Sequence, residues 1–170
     1  MKKIILSILL ITLLVTLGIV LADDEDFIVA ESFSEVNGDG FWGPYGPAYT
    51  LKDGALVFDS SIDNAWVTLN FKDDFLEPDA YRYVKITMKT DDPTDGAKIV
   101  MTFGNIKKPI SEWGIVLKTE YTTYIIDLFK QGLTKWGDGF KAEPDFALNK
   151  GSAVKAKLYV KSIILTNSEK

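Results

Sequence analysis

One short stretch gives the clearest secondary-structure signal in the chain: Trp66-Val67-Thr68-Leu69-Asn70-Phe71. Apolar and polar residues alternate along it, and a period of two predicts a β-strand with one buried face. Val67 shares the buried side with Leu69 and Phe71, so Trp66 is predicted to point outward together with the polar residues of the strand. An exposed indole on a polar sheet face is unusual and needs a functional explanation.

The same alternation continues on both sides of this stretch. Residues 83–89 and 98–103 alternate in the same way, and Asp53-Gly54 predicts a tight hairpin turn between two further strands. We expect roughly nine strands and an all-β fold, an antiparallel β-sandwich or barrel, and one polar face per strand favours a two-sheet β-sandwich. Short helical turns are expected only near Pro78–Tyr81 and Asp145–Asn149, and residues 91–96 (DDPTDG) predict a connecting turn.

The N-terminus has the organisation of a secretory signal peptide. Lys2 and Lys3 precede an apolar run over residues 4–21, and the small residue Ala22 follows. We therefore predict a signal peptide at 1–22 and one domain at 23–170, which would be secreted or held at the cell surface. An uncleaved anchor is the alternative, because the run is close to the length that spans a bilayer.

Composition excludes several classes of function. The chain has 170 residues, a formal net charge of −5, no histidine and no cysteine. A disulfide framework, a Cys/His zinc site and histidine-based catalysis are therefore excluded. With scattered lysines and Arg82 as its one arginine, the domain is not expected to bind nucleic acid, nor to bind a membrane once the signal is cleaved.

The aromatic residues are the strongest functional signal. Residues 38–43 (GDGFWG) match a dinucleotide-binding pattern, but Pro44 and Pro47 prevent the helix that such a motif must open. We interpret residues 42–47 (WGPYGP) as an aromatic loop, and Trp136 precedes a second copy of the same GDGF sequence. Tyr83 is also predicted to face outward, whereas the parity of Trp113 favours the core.

Exposed indole and phenol rings can stack on the apolar faces of sugar rings, while amides and carboxylates bind the hydroxyl groups. The predicted ligand-binding residues are therefore Trp42, Tyr45, Trp66 and Trp136 for stacking and Asp63, Asn64 and Asn70 for hydroxyl contacts. The alternative is that these rings are covered by loops or pair across strands for stability. No catalytic residues and no metal ligands are assigned.

Five segments together resemble a known family: Glu31–Phe33, Ala65–Leu69, Tyr83–Lys89, Tyr121–Leu128 and Leu158–Ile163. The chain resembles the jelly-roll carbohydrate-binding modules that are attached to secreted glycoside hydrolases. The resemblance implies that the closing strand pairs with the first strand, that 83–89 is a central strand and that 121–128 forms a late edge strand.

The resemblance also implies a structural calcium held by the first and closing strands. Lys161 stands near the calcium-binding position, and a lysine cannot ligate calcium, although it could pair with Glu31 or Glu35. We therefore expect no cofactor, with a structural calcium left as an open alternative.

The predicted function is a secreted, non-catalytic domain that binds polysaccharide or oligosaccharide. We expect no hydrolase domain on the same chain, so the domain would act alone or with separately secreted glycoside hydrolases. Two alternatives remain open. One is a jelly-roll glycoside hydrolase or polysaccharide lyase that uses Glu and Tyr, since hydrolysis needs only a carboxyl pair at suitable spacing. The other is a cell-surface adhesive or structural domain that binds protein.

Overall fold

The structure, a computed structural model, describes residues 26–72, 76–77, 79–137 and 144–169. The predicted signal peptide at 1–22 lies outside the described residues and stays a prediction. Within the described ranges, no helix is long and apolar enough to cross a membrane.

Strands dominate the described chain. They are β1 (Phe27–Ala30), β2 (Phe41–Tyr45), β3 (Tyr49–Lys52), β4 (Ala55–Asp59), β5 (Trp66–Phe71), β6 (Tyr83–Thr90), β7 (Val100–Phe103), β8 (Ile106–Pro109), β9 (Thr122–Asp127), β10 (Phe146–Asn149) and β11 (Lys157–Thr166). The helical elements are single turns, namely α1 (Pro93–Gly96), a 3-10 turn (Ile110–Trp113) and α2 (Leu128–Gln131).

The strands form two antiparallel sheets. The first sheet has the order β3-β4-β11-β6-β9, and β1 also pairs with β11. The second sheet has the order β2-β5-β10-β7-β8. This confirms the predicted two-sheet β-sandwich, the pairing of the first and closing strands, the interior position of β6 and the edge position of β9.

The inner faces of the two sheets share one hydrophobic core. Its largest fully buried side chains include a set of phenylalanines from both sheets and the loops: Phe33, Phe41, Phe58, Phe103 and Phe146. The ring centroids of Phe103 and Phe146 lie 5.1 Å apart, a spacing typical of favourable aromatic pairs. Because the inner faces of both sheets form this core, their outer faces point away from it.

The predicted hairpin turn is confirmed. Asp53 and Gly54 connect β3 to β4 with φ angles of 53° and 72°. Positive φ at both central residues is the requirement of a type I′ turn, which Asp-Gly sequences satisfy at low steric cost. The turn therefore fixes the register of this hairpin.

Several local predictions are wrong. Residues 145–149 were expected to form a helical turn, but Phe146–Asn149 is strand β10, which pairs with β5 and β7. Of residues 42–47, which are predicted to form a loop, residues 42–45 belong to strand β2 instead. Tyr83 follows the outward parity of β6, but its side chain is buried. Pairing with strands distant in sequence overrides the local turn signals in the first two segments.

Candidate functional site

The outer face of the second sheet bears three exposed aromatic side chains. Trp42 and Tyr45 on β2 are each 47% exposed, and Trp66 on β5 is 40% exposed. We call this surface, together with Thr68 opposite Tyr45 and Asn70 opposite Trp42, the aromatic face. The outward orientation predicted for Trp66 from its strand parity is confirmed.

Strand β5 supplies the regular part of the aromatic face. Its burial alternates along the strand, with Val67 and Leu69 fully buried and Trp66 exposed. Asn70, a predicted hydroxyl-binding residue, lies on the same outward side and is directly opposite Trp42 in the pairing of β2 with β5. The pleat of a single strand therefore brings Asn70 and the Trp66 ring onto one surface.

A β-bulge in β2 brings the other two rings, Trp42 and Tyr45, onto the aromatic face. Trp42 pairs with Asn70 and Tyr45 pairs with Thr68, so three steps along β2 match two steps along β5. In a regular strand, residues three apart point to opposite faces. The extra residue in the bulge, with Gly43 at φ 108°, puts both aromatic side chains on the outer face.

Two glycines let the backbone approach the rings closely. A Cβ on Gly43 would lie 3.1 Å from the Tyr45 ring and 3.0 Å from the Thr68 carbonyl oxygen. A Cβ on Gly46, whose φ is 140°, would overlap the Trp66 carbonyl oxygen. The β2–β3 turn can therefore pack directly against Trp66 only because position 46 has no side chain.

Charged groups lie at both ends of the aromatic face. The Lys72 ammonium is 4.7 Å from the centroid of the Trp42 ring, within the range of a cation–π contact. At the other end, the turn before β5 contains Asp63 and Asn64, both exposed. The Lys150 ammonium is 3.8 Å from the Asp63 carboxylate. Asp63 and Asn64 therefore lie beyond the Trp66 end of the aromatic face rather than between its rings.

Lys72 and Lys150 are two residues that the sequence-based site did not include. Lys72 continues the period-two pattern of Trp66, Thr68 and Asn70, so the same alternation could have identified it. The sequence pattern gives no such indication for Lys150, because its position near Asp63 depends on the pairing of β10 with β5.

Small side chains form the centre of this sheet. Thr68, Ala147 and Thr102 lie side by side across β5, β10 and β7. Ala147 and Thr102 are buried, whereas the rings on β2 and β5 are exposed. The exposed aromatic rings of this outer face therefore lie on its β2–β5 side.

The prediction that Trp136 belongs to the exposed rings is wrong. Its side chain is only 4% exposed, and its ring centroid lies 5.5 Å from that of Phe71 in the core. The indole N–H donates to the Glu77 carbonyl oxygen at 3.3 Å. A ring enclosed in this way has no face for a ligand. Trp113 is also buried, as its parity predicted.

The acidic residue nearest the centre of this sheet has a structural role. Asp145 is buried, and its carboxylate accepts hydrogen bonds from the backbone N–H groups of Phe71 at 2.7 Å and Gly137 at 2.8 Å. In the described part of the chain, no cluster of three or more carboxylates is placed to hold a metal ion. The chemistry that the aromatic face offers is ring stacking flanked by hydrogen bonding.

Comparison with known proteins identifies the fold. No protein-family model matches the chain, and no curated protein matches it. Among solved structures, a family 29 carbohydrate binding module matches with a TM-score of 0.55 and 14% identity, over 85% of this chain and 89% of that one. The chain therefore has the fold of these modules, as the sequence resemblance implied.

Two further matches are point mutants of the module CBM29-2. One, complexed with cellulohexaose, has a TM-score of 0.56 and 14% identity and covers 85% of this chain and 92% of that one. The other, complexed with mannohexaose, has a TM-score of 0.54 and 15% identity with the same coverage.

Proposed function

We propose that this protein is a secreted, non-catalytic carbohydrate-binding domain that binds polysaccharide on the aromatic face. One observation supports this most directly. Trp42, Tyr45 and Trp66 are exposed together on one rigid sheet surface, although large rings of this kind are normally buried. The shared fold with carbohydrate binding modules agrees with this role.

The strand geometry suits an extended saccharide chain. The positions of Trp42, Tyr45 and Trp66 follow one another along the β2–β5 pair, at steps of roughly 7 Å per two residues. Three rings therefore extend over roughly 13 Å, enough for more than one sugar unit. Because the rings stand on paired strands, little conformational entropy is lost on binding.

Polar groups would orient the sugar. Asn70 lies beside Trp42, and Asp63, Asn64 and Lys72 lie at the ends of the aromatic face. We expect these side chains to hydrogen-bond hydroxyl groups of a chain that runs along the face. Proteins of the same fold have been solved in complex with cellulohexaose and mannohexaose, so a linear hexose polymer is the first ligand to test. Export by residues 1–22 would place the domain with separately secreted glycoside hydrolases.

The decisive variant is Trp66→Ala. We expect affinity for soluble glucan or mannan to fall about tenfold, because removing one aromatic stacking ring from an interface costs on this scale. The melting temperature should change little, since the ring is 40% exposed. Binding is measured by affinity electrophoresis in gels that contain the polysaccharide.

Phe129→Ala is the matched control, because Phe129 is 46% exposed and lies on α2, outside the aromatic face. It should bind like the unmodified protein. Equal binding by both variants would reject the aromatic face as the site. Release of reducing sugar that one Glu→Gln change abolishes would instead establish an enzyme.

A further inference from the structure

The outer face of the first sheet carries a second group of aromatic and charged side chains. Tyr159 on β11 is directly opposite Lys89 on β6. Tyr121 immediately precedes β9, whose first residue Thr122 pairs with Met88. Tyr159, Lys89 and Tyr121 therefore form a row across three neighbouring strands. With Lys161, they make what we call the tyrosine–lysine face.

Two lysine ammonium groups share one tyrosine ring on this face. The Lys89 Nζ lies 4.6 Å from the Tyr121 ring centroid and 5.1 Å from that of Tyr159. The Lys161 Nζ lies 5.7 Å from the Tyr121 centroid. Burial, together with the charges of Tyr159 and Asp53, raises the pKa of the Tyr121 phenol. The phenol is therefore neutral near pH 7 and does not neutralise the two lysines.

A β-bulge brings Lys161 to this face. Val160 pairs with Met88 and Ser162 pairs with Thr87, so Lys161 is an extra residue in β11. The bulge puts the successive residues Lys161 and Ser162 both on the outer side, with Val160 and Ile163 buried on either side of them. Bulges redirect side chains in this way beside functional sites.

The two lysines lack the carboxylate partners that other lysines of this chain have. Lys98 pairs with Asp95 at 2.8 Å, and Lys157 pairs with Asp59 at 3.2 Å. Among the residues that the structure describes, neither Lys89 nor Lys161 forms an ion pair, and Lys161 does not reach Glu31 or Glu35. Asp53, whose charge acts on the Tyr121 phenol, forms no ion pair with either lysine. In a chain with a net charge of −5, two ammonium groups over one tyrosine ring and without an ion-pair partner are a local excess of positive charge.

We propose that the tyrosine–lysine face is a second binding site, which takes an acidic polysaccharide. Lys89 and Lys161 pair with carboxylate or sulfate groups of the ligand, and Tyr121 and Tyr159 contact its sugar rings. The site is on the opposite side of the sandwich from the aromatic face, so it goes beyond the function proposed above and does not depend on it.

The small number of basic groups favours a polysaccharide over a nucleic acid. A duplex carries one negative charge per roughly 1.7 Å, and proteins neutralise it with clustered basic residues. Two ammonium groups in an otherwise acidic domain are too few for that charge density. The row of Tyr159, Lys89 and Tyr121 across neighbouring strands suits an extended and more sparsely charged chain.

Affinity electrophoresis distinguishes binding of an acidic polysaccharide from binding of a neutral one. Native gels contain polygalacturonate, dextran sulfate or neutral dextran, and the protein should be retarded by one or both acidic polymers but not by dextran. The combined variant Lys89→Gln and Lys161→Gln should lose about tenfold in affinity, as expected for lost charge-assisted contacts. Lys161→Gln alone, at an exposed position, should show a smaller loss.

The matched control combines Lys107→Gln and Lys155→Gln, which remove the same charge away from the tyrosine–lysine face. This control should bind like the unmodified protein. Equal loss of affinity in both double variants would overturn the proposal, because it would show that lysines anywhere on the surface attract the acidic polymer. Retention of single-stranded DNA with no retention by either acidic polysaccharide would also overturn it. Trp66→Ala should keep its acidic binding, which distinguishes this site from the aromatic face.

Discussion

The four tryptophans show how differently one residue type is used at single positions. Trp42 and Trp66 are exposed on the aromatic face, whereas Trp113 and Trp136 are buried in the core. Trp136 resembled a ligand-binding ring because a Gly-rich segment follows it, but its N–H bonds the Glu77 carbonyl oxygen and its ring packs on Phe71. Its neighbours in space, rather than its neighbours in sequence, determine its role.

Trp136→Ala should therefore lower stability and not ligand affinity. Truncating a buried tryptophan removes apolar contacts and leaves a cavity, which costs about 3–5 kcal/mol of unfolding free energy. Urea denaturation measures this loss. Trp136→Phe, which keeps a ring against Phe71 but lacks the N–H donor, should lose less. Reduced glycan binding with an unchanged urea midpoint would contradict the structural role.

At the scale of elements, bulges in two strands determine what each outer face presents. The β2 bulge aligns Trp42 with Tyr45, and the β11 bulge exposes Lys161 beside Ser162. Strict alternation predicts neither effect, because one residue of each pair would then point into the core. Both faces proposed to bind ligands therefore depend on a single extra residue in a strand.

The junction of β9 and α2 depends on one carboxylate. Asp127 caps α2 by accepting from the Lys130 backbone N–H at 3.1 Å and accepts from the Arg82 guanidinium at 2.8 Å. The Arg82 hydrogen bond, aided by the Lys130 backbone hydrogen bond and the charges of both residues, lowers the pKa of Asp127 from 3.8 to about 2. The charged form is therefore favoured in the folded protein.

The stability that this charge adds should disappear in acid. A carboxylate whose pKa falls on folding stabilises the protein fully above its unfolded pKa, and the stabilisation is lost as the pH falls from about 4 towards 2. Asp127→Asn keeps a capping oxygen without the charge. Its melting temperature should lie below that of the unmodified protein at neutral pH, and the two should converge near pH 2. A gap that does not change with pH would contradict this account.

At the scale of the whole molecule, two sheets enclose one core and leave two distinct outer faces. Buried residues of both sheets belong to one hydrophobic cluster, so neither sheet has a core of its own. The residues that stabilise the fold and the residues proposed to bind ligands therefore lie on different faces of the sheets. The inner faces hold the fold together, and the outer faces are free to differ in chemistry. Trp42, Tyr45 and Trp66 are exposed on one side, and Lys89 and Lys161 lie over tyrosine rings on the other.

A single core predicts cooperative unfolding. In urea, tryptophan fluorescence, which reports on buried Trp113 and Trp136, should change at the same midpoint as the far-ultraviolet circular dichroism of both sheets. The reason is that separating the sheets exposes apolar surface on both at once. Two resolved transitions would mean that one sheet retains its structure without the other.

The amino-acid sequence by itself determined the fold class, the Asp53-Gly54 turn and the outward direction of Trp66. These features depend on alternation and turn chemistry within a few residues, which the pleat of a strand converts directly into faces. The tertiary structure alone decided that Trp42 and Tyr45 share a face, that Phe146–Asn149 is a strand and that Trp136 is buried. Those outcomes depend on register and packing between segments far apart in the chain, where pairing energy overrides local preference.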